Sequence, residues 1–454
     1  MTDLDSLRRQ LPVGIVVTDP DTVEGYRRDS SDLLHPGSPL AVLRPTSALQ
    51  VSTIMKWATA TSTVVVPRGA GTGASGGATA LDGCVIVSLE KMTAIRDVDI
   101  ANQIVVVEPG VVNADVGRAV AEHGLFYPPD PGSFEISTIG GNLATNAGGM
   151  RCVKYGVTRN SVLGLEVVLP DGRILCTGGR TVKNVAGLDL THLFVGSEGA
   201  LGIITSATLR LRPRPSGTAT FVASFPDLES GGRGLNAIFA SGATPSILEL
   251  MDCATINMVE DYRRMDLDRD ADLLIIGQAD GDAALPEAEA MAAICEAMGA
   301  DLAMATDDIA ESEMFIQARR LAGWAAMAQG PTVSEDVCVP RTRLVELLEQ
   351  IHDISTETRI RIATVGHAGD GNVHPILLLT DLDDEDEQAR AMDAVARICA
   401  AALALGGTIT GEHGVGELKL PWLEQQVGRT SLDVQASIKR ALDPLSIMNP
   451  GRGF

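Results

Sequence analysis

Short apolar runs alternate with glycine-rich stretches over the first 215 residues. The apolar runs have the length of buried strands and are bounded by turn-forming residues. Two helices are predicted, one over 46–60 capped by Thr46 or Ser47, and one from Asn113 as N-cap to Gly124 as C-cap. Strands are predicted at 64–66, 85–89, 104–110 and 207–213, and a hairpin at 163–175 that turns at Asp171-Gly172.

The pattern changes at residues 213–217, where Pro213, Pro215 and Gly217 interrupt it. Beyond this point strands alternate with long alanine-rich helices, which predicts an α+β domain with helices backing a sheet. We therefore expect a domain over residues 1–214, a second over 215–425 and a C-terminal segment over 426–454. The strands are predicted at 221–225 and 273–278, and the helices at 285–298, 343–353, 384–405 and 431–442.

Three stretches concentrate the glycines: 67–77, 137–149 and 196–202. The first matches G-x-G-x-x-G by letter, but a Rossmann site needs a helix directly after it. The strand at 85–89 leaves no room for that helix. Successive backbone N–H groups can still form an anion-binding concavity. One such stretch is most simply a tight turn, whereas three together indicate one extended, phosphate-bearing ligand.

Composition excludes several classes of protein. The chain has 36 basic and 59 acidic residues, a net charge of −23, which disfavours nucleic acid and anionic lipid as partners. Its seven cysteines form no C-x-x-C, which argues against a disulfide framework or an iron–sulfur cluster. The N-terminus lacks the pattern of a secretory signal, and no apolar run reaches the ~18 residues of a membrane span. We expect a cytoplasmic protein without a transmembrane segment.

Several motifs together resemble a known family. VVVPRGAGTGASGG (64–77), STIGGNLATNAGG (137–149) and VGSEGALGIIT (195–205) resemble the FAD-binding domain of vanillyl-alcohol-oxidase-type flavoproteins. DVCVP (336–340), VGHAGDGNVHP (365–375), TGEHGVGELK (410–419) and DPLSIMNPGR (443–452) resemble the group of glycolate oxidase, D-lactate dehydrogenase and D-2-hydroxyglutarate dehydrogenase. The resemblance implies an α+β fold: a two-part FAD-binding domain and an α+β cap domain with a helix-backed sheet.

The resemblance also implies FAD as the cofactor. Some members of the superfamily attach FAD through a histidine in or near the first glycine loop, but loop 67–77 contains none, so we predict non-covalent FAD. The first loop is expected to hold the pyrophosphate, the second to follow the ribityl chain, and the last stretch to return to the FAD domain through Asn449. The positions carried over by motif are Pro67, Arg68, Gly69, Gly71, Thr72, Gly73, Thr138, Gly141, Asn142, Thr145, Gly202, Ile204 and Asn449.

A metal site is implied by His367, His374 and Glu412. A turn at Asp370-Gly371 after a strand can bring both imidazoles to one side, and imidazole with carboxylate suits zinc, manganese or iron. Taken alone, the two histidines also fit hydrogen-bonded turn residues. In the resembled group, the three matching positions bind a divalent cation. We therefore predict a divalent metal here, zinc in the first place and manganese or iron as alternatives.

The expected chemistry is oxidation of a small D-2-hydroxy acid, with D-lactate preferred, to the 2-oxo acid by hydride transfer to flavin N5. His413 is the candidate base for the hydroxyl proton, and its alternative role is to orient Glu412. Arg319 is preferred to Arg320 for the substrate carboxylate, with a helix-surface arginine pair as the alternative. Lys419 is a weaker candidate.

Departures from the family pattern bear on the substrate. The 2-hydroxyglutarate enzymes carry a lysine just before the D-x-x-x-P motif, but residues 332–336 (TVSED) contain no cation. A dicarboxylate is therefore disfavoured, while glycolate or a longer D-2-hydroxy acid remains the alternative. Trp324 fits either an apolar wall for a small alkyl group or a core tryptophan.

Partners and rival functions remain open at this stage. The electron acceptor is expected to be separate: a quinone, a cytochrome, an electron-transfer flavoprotein or a partner subunit. Such a partner could hold the protein at the membrane periphery, and a homodimer is left open. A metal-dependent hydrolase would explain the histidines but not the glycine loops. An assembly subunit with remnant FAD would have no need of His367, His374, Glu412 and His413.

Overall fold

The computed structural model describes residues 4–31 and 33–453. Its strands, in chain order, are β1 (Val16–Val17), β2 (Ala41–Leu43), β3 (Val65–Arg68), β4 (Val85–Ser88), β5 (Ile95–Asp99), β6 (Ile104–Val107), β7 (Leu125–Phe126), β8 (Val162–Val168), β9 (Ile174–Gly178), β10 (Ile203–Arg210), β11 (Arg212–Pro213), β12 (Thr218–Phe225), β13 (Ile247–Asp252), β14 (Leu273–Asp280), β15 (Leu302–Thr306), β16 (Thr332–Ser334), β17 (Val337–Cys338), β18 (Arg361–His367) and β19 (Asn372–Leu378).

The α-helices are α1 (Leu4–Arg8), α2 (Pro20–Glu24), α3 (Ala48–Thr61), α4 (Asn113–Ala121), α5 (Ile139–Thr145), α6 (Cys152–Tyr155), α7 (Thr191–Phe194), α8 (Leu228–Ser241), α9 (Cys253–Tyr262), α10 (Ala284–Ala297), α11 (Ile309–Met327), α12 (Leu344–Thr358), α13 (Glu385–Ala404), α14 (Leu420–Val427) and α15 (Arg429–Leu442). Short 3₁₀ turns lie at Thr158–Ser161 and Arg341–Arg343.

The first compact unit combines the chain up to Gly148 with Gly156–Arg214 and the stretch from Glu412 onward. It contains a four-stranded sheet of order β1-β2-β4-β3 and a five-stranded antiparallel sheet of order β5-β6-β10-β8-β9. In the first sheet, β4 pairs with β2 and β3 in parallel. Each sheet has its own apolar cluster, and Ile447 and Met448 of the C-terminal stretch pack into the cluster of the first.

The second compact unit combines Gly149–Tyr155 with Pro215–Gly411. Its antiparallel sheet has the order β15-β12-β14-β13-β18-β19-β16, and β17 also pairs with β19. Helices α9 and α11 pack on the apolar cluster that contains Met251, Val365 and Ile376. Because side chains alternate along a strand, residues two positions away from these three share that face. That the functional domains are divided at residues 214 and 425 stays a prediction.

The hairpin of β18 and β19 is closed by the turn at residues 368–371. Gly371 has φ +78°, and a Cβ there would lie 2.1 Å from the carbonyl oxygen of Val339. Both facts require glycine, since other residues rarely adopt this conformation and none would fit. The turn therefore fixes the register of the two strands.

Local patterns explain most helix ends. Ser47 caps α3 by accepting a hydrogen bond from the backbone N–H of Gln50, as predicted. The predicted N-cap at Asn113 is wrong, since Val112 occupies that position. Asn113 is instead buried within the helix, where its amide donates to the carbonyl oxygen of Pro129 and to Oδ1 of Asn142. The tertiary partner outweighs the local capping preference of asparagine.

The helices of the described residues are all too short or too polar to cross a bilayer.

Candidate functional site

His367 and His374 lie side by side on one face of the second unit's sheet. His367 is the last residue of β18 and stands opposite Asn372, the first residue of β19. His374 follows two residues later, so it is the diagonal neighbour of His367 on the same face. The two ring centroids are 5.1 Å apart with planes at 85°, and both side chains are buried. The predicted pairing of the imidazoles by a strand and a turn is present in this geometry.

Each histidine faces a buried carboxylate on a neighbouring strand. Leu250 pairs with Gly366, and the same register places Glu249 opposite His367. Val337 pairs with Val373, which places Asp336 opposite His374. Nδ1 of His367 lies 2.8 Å from Oε1 of Glu249, and Nδ1 of His374 lies 3.7 Å from Oδ1 of Asp336. The acids thus face the Nδ1 side of both imidazoles.

Glu249 also forms an ion pair with Arg319 of α11, with 2.7 Å between Oε2 and Nε. The Glu249 side chain is 0% exposed and that of Arg319 is 12% exposed. Burial by itself would raise the pKa of Glu249. The interactions with His367 and Arg319 outweigh that effect, so the pKa lies below its usual range. Glu249 is therefore an anion held between an imidazole and a guanidinium.

The neighbouring positions of α11 differ from Arg319. Arg320 is partly exposed and lies 3.3 Å from Glu313, two turns earlier on the same helix, whereas Arg319 is only 12% exposed. Trp324 is 60% exposed, so the alternative of a core tryptophan is wrong. It also lies about 140° around the helix from Arg319, since successive residues are about 100° apart.

Asp336 binds the last two residues of the second unit, Thr410 and Gly411. Its Oδ2 accepts hydrogen bonds from Oγ1 of Thr410 at 2.7 Å and from the backbone N–H of Gly411 at 2.8 Å. Glu412 is the next residue and belongs to the first unit, where it packs against Gly148. A Cβ on Gly148 would lie 2.2 Å from the Glu412 carboxylate, so the second glycine stretch needs a bare backbone there.

In the first unit, Glu198 anchors the segment that carries His413. The Glu198 carboxylate accepts hydrogen bonds from the backbone N–H groups of Val415 at 2.8 Å and Gly416 at 2.7 Å. Burial raises the pKa of Glu198 although these two N–H donors oppose the shift. The carbonyl oxygen of His413 accepts a hydrogen bond from Oγ of Ser75 at 3.4 Å. The segment is thus tied to the first and third glycine stretches.

All three glycine stretches converge within the first unit. A Cβ on Gly69 would lie 2.5 Å from Oγ1 of Thr138, and a Cβ on Gly199 would lie 2.9 Å from Cγ of Pro67. The backbone N–H of Glu198 donates to the carbonyl oxygen of Ala144 at 2.8 Å. Every pair of stretches is therefore in contact, as one extended ligand would require.

The side chains of three predicted FAD residues contact other residues of the protein. The Arg68 guanidinium is buried, lies 5.8 Å from the Tyr26 ring centroid and has a pKa lowered by that burial. Asn142 accepts from Asn113 and donates to Oγ of Ser137. Thr145 donates to the carbonyl oxygen of Gly141. These contacts shape the loops, and direct contact of the three residues with FAD stays a prediction.

The other predicted FAD positions line the same loops. Gly71 has φ +76°, and Thr72 and Gly73 are half-buried. A Cβ on Gly202 would lie 2.8 Å from Cγ1 of Val167. Ile204 is buried in the apolar cluster of the five-stranded sheet. Asn449 donates through Nδ2 to the carbonyl oxygens of Gly77 and Glu198, each at 2.8 Å.

The residues present suit both groups that the sequence implies. For FAD, the bare glycine backbones leave room for close approach, and the buried Thr138 hydroxyl has no hydrogen-bond partner among the described residues. For a metal, the ligand atoms of His367 and His374 lie within 4.8 Å of each other. Two imidazoles with acids behind them are a donor set that zinc, manganese and iron accept.

Sequence reasoning gave no role to Glu198, Glu249 or Asp336. Glu198 and Asp336 stand inside quoted motifs, and Glu249 stands in the strand ILELMD. For Glu198 and Glu249, the available signal was an acid within an otherwise apolar or glycine-rich run, because such a carboxylate is buried only with partners. The partners themselves are far away in the sequence.

Two family models match the chain. The FAD binding domain matches residues 39–178, and the C-terminal domain of FAD linked oxidases matches residues 214–452, which is more than half of the chain. The chain therefore belongs to the FAD-linked oxidases, and it is an FAD-dependent oxidoreductase.

Its relatives include the glycolate oxidase subunit GlcD of Bacillus subtilis, which is 41% identical over 419 residues, 92% of this chain and 89% of the relative. A D-lactate dehydrogenase of Archaeoglobus fulgidus is 36% identical over 416 residues, 90% of each chain. These comparisons confirm the family inferred from the motifs.

Among solved structures, p-cresol methylhydroxylase matches with a TM-score of 0.83 at 17% identity, over 99% of this chain and 96% of that one. This likeness shows the fold. Together with the family matches it confirms the predicted α+β architecture of an FAD-binding domain of the vanillyl-alcohol oxidase type followed by a second domain.

The anchoring role of Glu198 can be tested by hydrogen exchange. In Glu198→Gln, one acceptor oxygen remains, and the side-chain NH₂ group faces one of the two backbone N–H donors without forming a hydrogen bond. The loss of one buried hydrogen bond costs roughly 1–3 kcal/mol. We expect amide exchange at Val415 and Gly416 to rise about 10-fold, the equivalent of about 1.4 kcal/mol. Glu122→Gln is the control, since the Glu122 side chain is 75% exposed and belongs to the same unit. Unchanged exchange in Glu198→Gln would contradict the anchor.

Proposed function

We propose that the protein oxidises a small D-2-hydroxy acid, D-lactate best, to the 2-oxo acid with FAD and a divalent metal. One observation carries this proposal: two adjacent imidazoles and the guanidinium of Arg319 meet the same sheet face, with Glu249 between His367 and Arg319. A 2-hydroxy acid offers a hydroxyl oxygen for a metal and a carboxylate for a guanidinium. The arrangement supports recognition of both groups of one molecule.

The proposed metal ligands are His367, His374 and Glu412, with zinc as the first expectation and manganese or iron as alternatives. The carboxylates of Glu249 and Asp336 face the Nδ1 atoms, which favours Nε2 of both imidazoles as ligand atoms. Glu412 follows Gly411, whose backbone is fixed by Asp336. Three protein ligands leave coordination positions for a substrate oxygen.

The three glycine stretches would hold FAD, which would supply the hydride acceptor, and His367, His374 and Glu412 would hold a metal, which would supply a lower pKa of the substrate hydroxyl. His413 takes the hydroxyl proton as general base. Arg319 holds the carboxylate, for which a planar guanidinium is suited. The anchor at Glu198 fixes the backbone beyond His413 and so positions the base.

The substrate is proposed to be a monocarboxylate. The stretch before the D-x-x-x-P motif contributes the fully buried acids Glu335 and Asp336 and no cation. A second substrate carboxylate near them would meet repulsion. Relatives named D-lactate dehydrogenase and glycolate oxidase subunit support a small substrate, and glycolate or a longer D-2-hydroxy acid is the alternative.

We also propose that a separate acceptor receives the electrons: a quinone, a cytochrome, an electron-transfer flavoprotein or a partner subunit. The relatives named as glycolate oxidase subunits support the last of these. A cytoplasmic location, membrane association through that partner and a homodimer stay predictions.

Anaerobic mixing with a panel of hydroxy acids tests the substrate. D-Lactate is expected to bleach the flavin absorbance faster than glycolate, L-lactate or D-2-hydroxyglutarate. The expectation rests on the family resemblance and on residues 332–336, which offer no cation for a second carboxylate. Stopped-flow absorbance measures the reduction rate. A preference for L-lactate would refute the stereochemical assignment, and a preference for D-2-hydroxyglutarate would refute the monocarboxylate assignment.

His413→Ala tests the base. Flavin reduction is expected to slow by about 10²–10⁴-fold, the usual contribution of a general base. The visible spectrum of bound FAD should stay as in the wild type, since the variant changes no proposed FAD contact. His123→Ala is the control, because His123 is an exposed histidine of the same unit. Full activity of His413→Ala would reject the role.

Chelation tests the metal. Dialysis against a strong chelator is expected to abolish substrate-dependent flavin reduction without releasing FAD. Activity measured after adding back single metals should identify the native ion by full recovery. Full activity in protein that elemental analysis shows to be metal-free would refute the metal-assisted mechanism.

A further inference from the structure

The carboxylate of Glu249 contacts both His367 and Arg319, which have different roles in the proposed reaction. Glu249 lies opposite His367 on the neighbouring strand, with 2.8 Å and 2.9 Å from Nδ1 to its two oxygens. Its Oε2 lies 2.7 Å from Nε of Arg319. His367 is a proposed metal ligand and Arg319 the proposed carboxylate anchor, so Glu249 touches both from behind.

An acid at position 249 has a large desolvation cost. Glu249 is 0% exposed, and an isolated buried carboxylate loses far more hydration energy than the sheet could return. Replacing such an ion pair by apolar residues is often neutral or stabilising. The other inward positions of β13, Ile247 and Met251, are indeed apolar. The ion pair therefore calls for an explanation beyond stability.

Glu249 determines which nitrogen of His367 can bind a metal. An ionised carboxylate only accepts hydrogen bonds, so the proton of a neutral His367 lies on Nδ1. Nε2 then carries the lone pair, so it is the nitrogen that can bind a cation. With the opposite tautomer, the proton would occupy the ligand atom.

Glu249 also limits the movement of Arg319. The ion pair keeps Nε 2.7 Å from Oε2 of the buried carboxylate, so the guanidinium cannot move away without separating two buried charges. Because one carboxylate makes both contacts, the position of the guanidinium is set relative to the imidazole. The distance between metal and anchor must match a hydroxyl and a carboxylate on adjacent carbons.

We propose that Glu249 is a positioning residue that sets the tautomer of His367 and the position of Arg319 together. The inference rests on the proposed function, since it assumes a metal at His367 and a substrate carboxylate at Arg319. It predicts that one substitution weakens metal binding and carboxylate binding, although Glu249 touches neither ligand.

Glu249→Gln is the test variant because it keeps the shape and removes one acceptor. If the glutamine oxygen stays with Arg319, its NH₂ group faces Nδ1 of His367 and drives the proton to Nε2. The control is Asp252→Asn, which changes a partly buried acid on the opposite face of the same strand. Asp252 caps α9 through the backbone N–H of Thr255 and contacts neither His367 nor Arg319.

Two affinities are measured on purified holoenzyme. Zn²⁺ affinity, from competition with a chromophoric chelator, is expected to fall about 10–100-fold in Glu249→Gln. The dissociation constant of pyruvate at saturating Zn²⁺, from the change in flavin absorbance, is expected to rise about 10-fold. Both values should stay within about 2-fold of the wild type in Asp252→Asn.

The tautomer gives a readout that a merely structural role would not move. Long-range ¹⁵N–¹H spectra of metal-free protein labelled at histidine should show His367 protonated at Nδ1 in the wild type and at Nε2 in Glu249→Gln. The signal is assigned by its absence in His367→Ala. If Glu249→Gln does not fold, Glu249→Asp keeps the charge at a longer distance, and both affinities should weaken less.

The outcomes separate this inference from the proposed function. If wild-type protein binds no divalent metal, the proposed function fails. If the wild type binds Zn²⁺ tightly and Glu249→Gln binds it equally well, only the role of Glu249 is overturned. Loss of Zn²⁺ affinity with unchanged pyruvate binding would overturn the link to Arg319. Equal losses in Asp252→Asn would overturn the specific role in favour of a general effect of buried charge.

Discussion

The candidate site depends on the register of four neighbouring strand segments. The pairing of β13, β18, β19 and the start of β17 aligns Glu249, His367, His374 and Asp336 across one face of the sheet. Side chains alternate with a period of two, so a slip of one residue would send every member of the row to the other face. Gly371 protects this register, since its left-handed turn admits no other residue without a clash with Val339. The side-by-side placement of these four residues therefore depends on the pairing of the strands.

Each compact unit uses a buried glutamate as an acceptor for several donors. In the first unit Glu198 holds the backbone N–H groups of Val415 and Gly416, and in the second Glu249 holds an imidazole and a guanidinium. An acceptor-only group that faces two donors has one low-energy arrangement, which is why such networks restrict a site to a single geometry. Burial raises both pKa values, but only at Glu249 do the neighbours, His367 and Arg319, reverse the shift.

The sequence predicted much of the fold because the relevant signals are local. The α-helices that begin at Ala48 and Glu385 follow from capping residues and apolar periodicity, and the hairpin at Asp171-Gly172 follows from its turn. The glycine stretches pointed to one shared ligand, and they do converge. The strand that carries Glu249 was missed, and so was the role of this acid. Its partner His367 is 118 positions away, and nothing local to ILELMD reveals a contact at that separation. The same holds for Asn113, whose predicted capping role gave way to a bond with Asn142.

Both ends of the segment around Glu412 and His413 are held by carboxylates, each within its own unit. Asp336 accepts the N–H of Gly411 on one side, and Glu198 accepts those of Val415 and Gly416 on the other. Three residues lie between these anchors, too few to rearrange without breaking one of them. The glycines at 411 and 414 fit this reading, since an added Cβ would lie 2.4 Å from Asn372 at the first and 2.9 Å from Glu198 at the second. A short segment anchored in this way needs little further ordering when a ligand binds, which supports the proposed roles of Glu412 and His413.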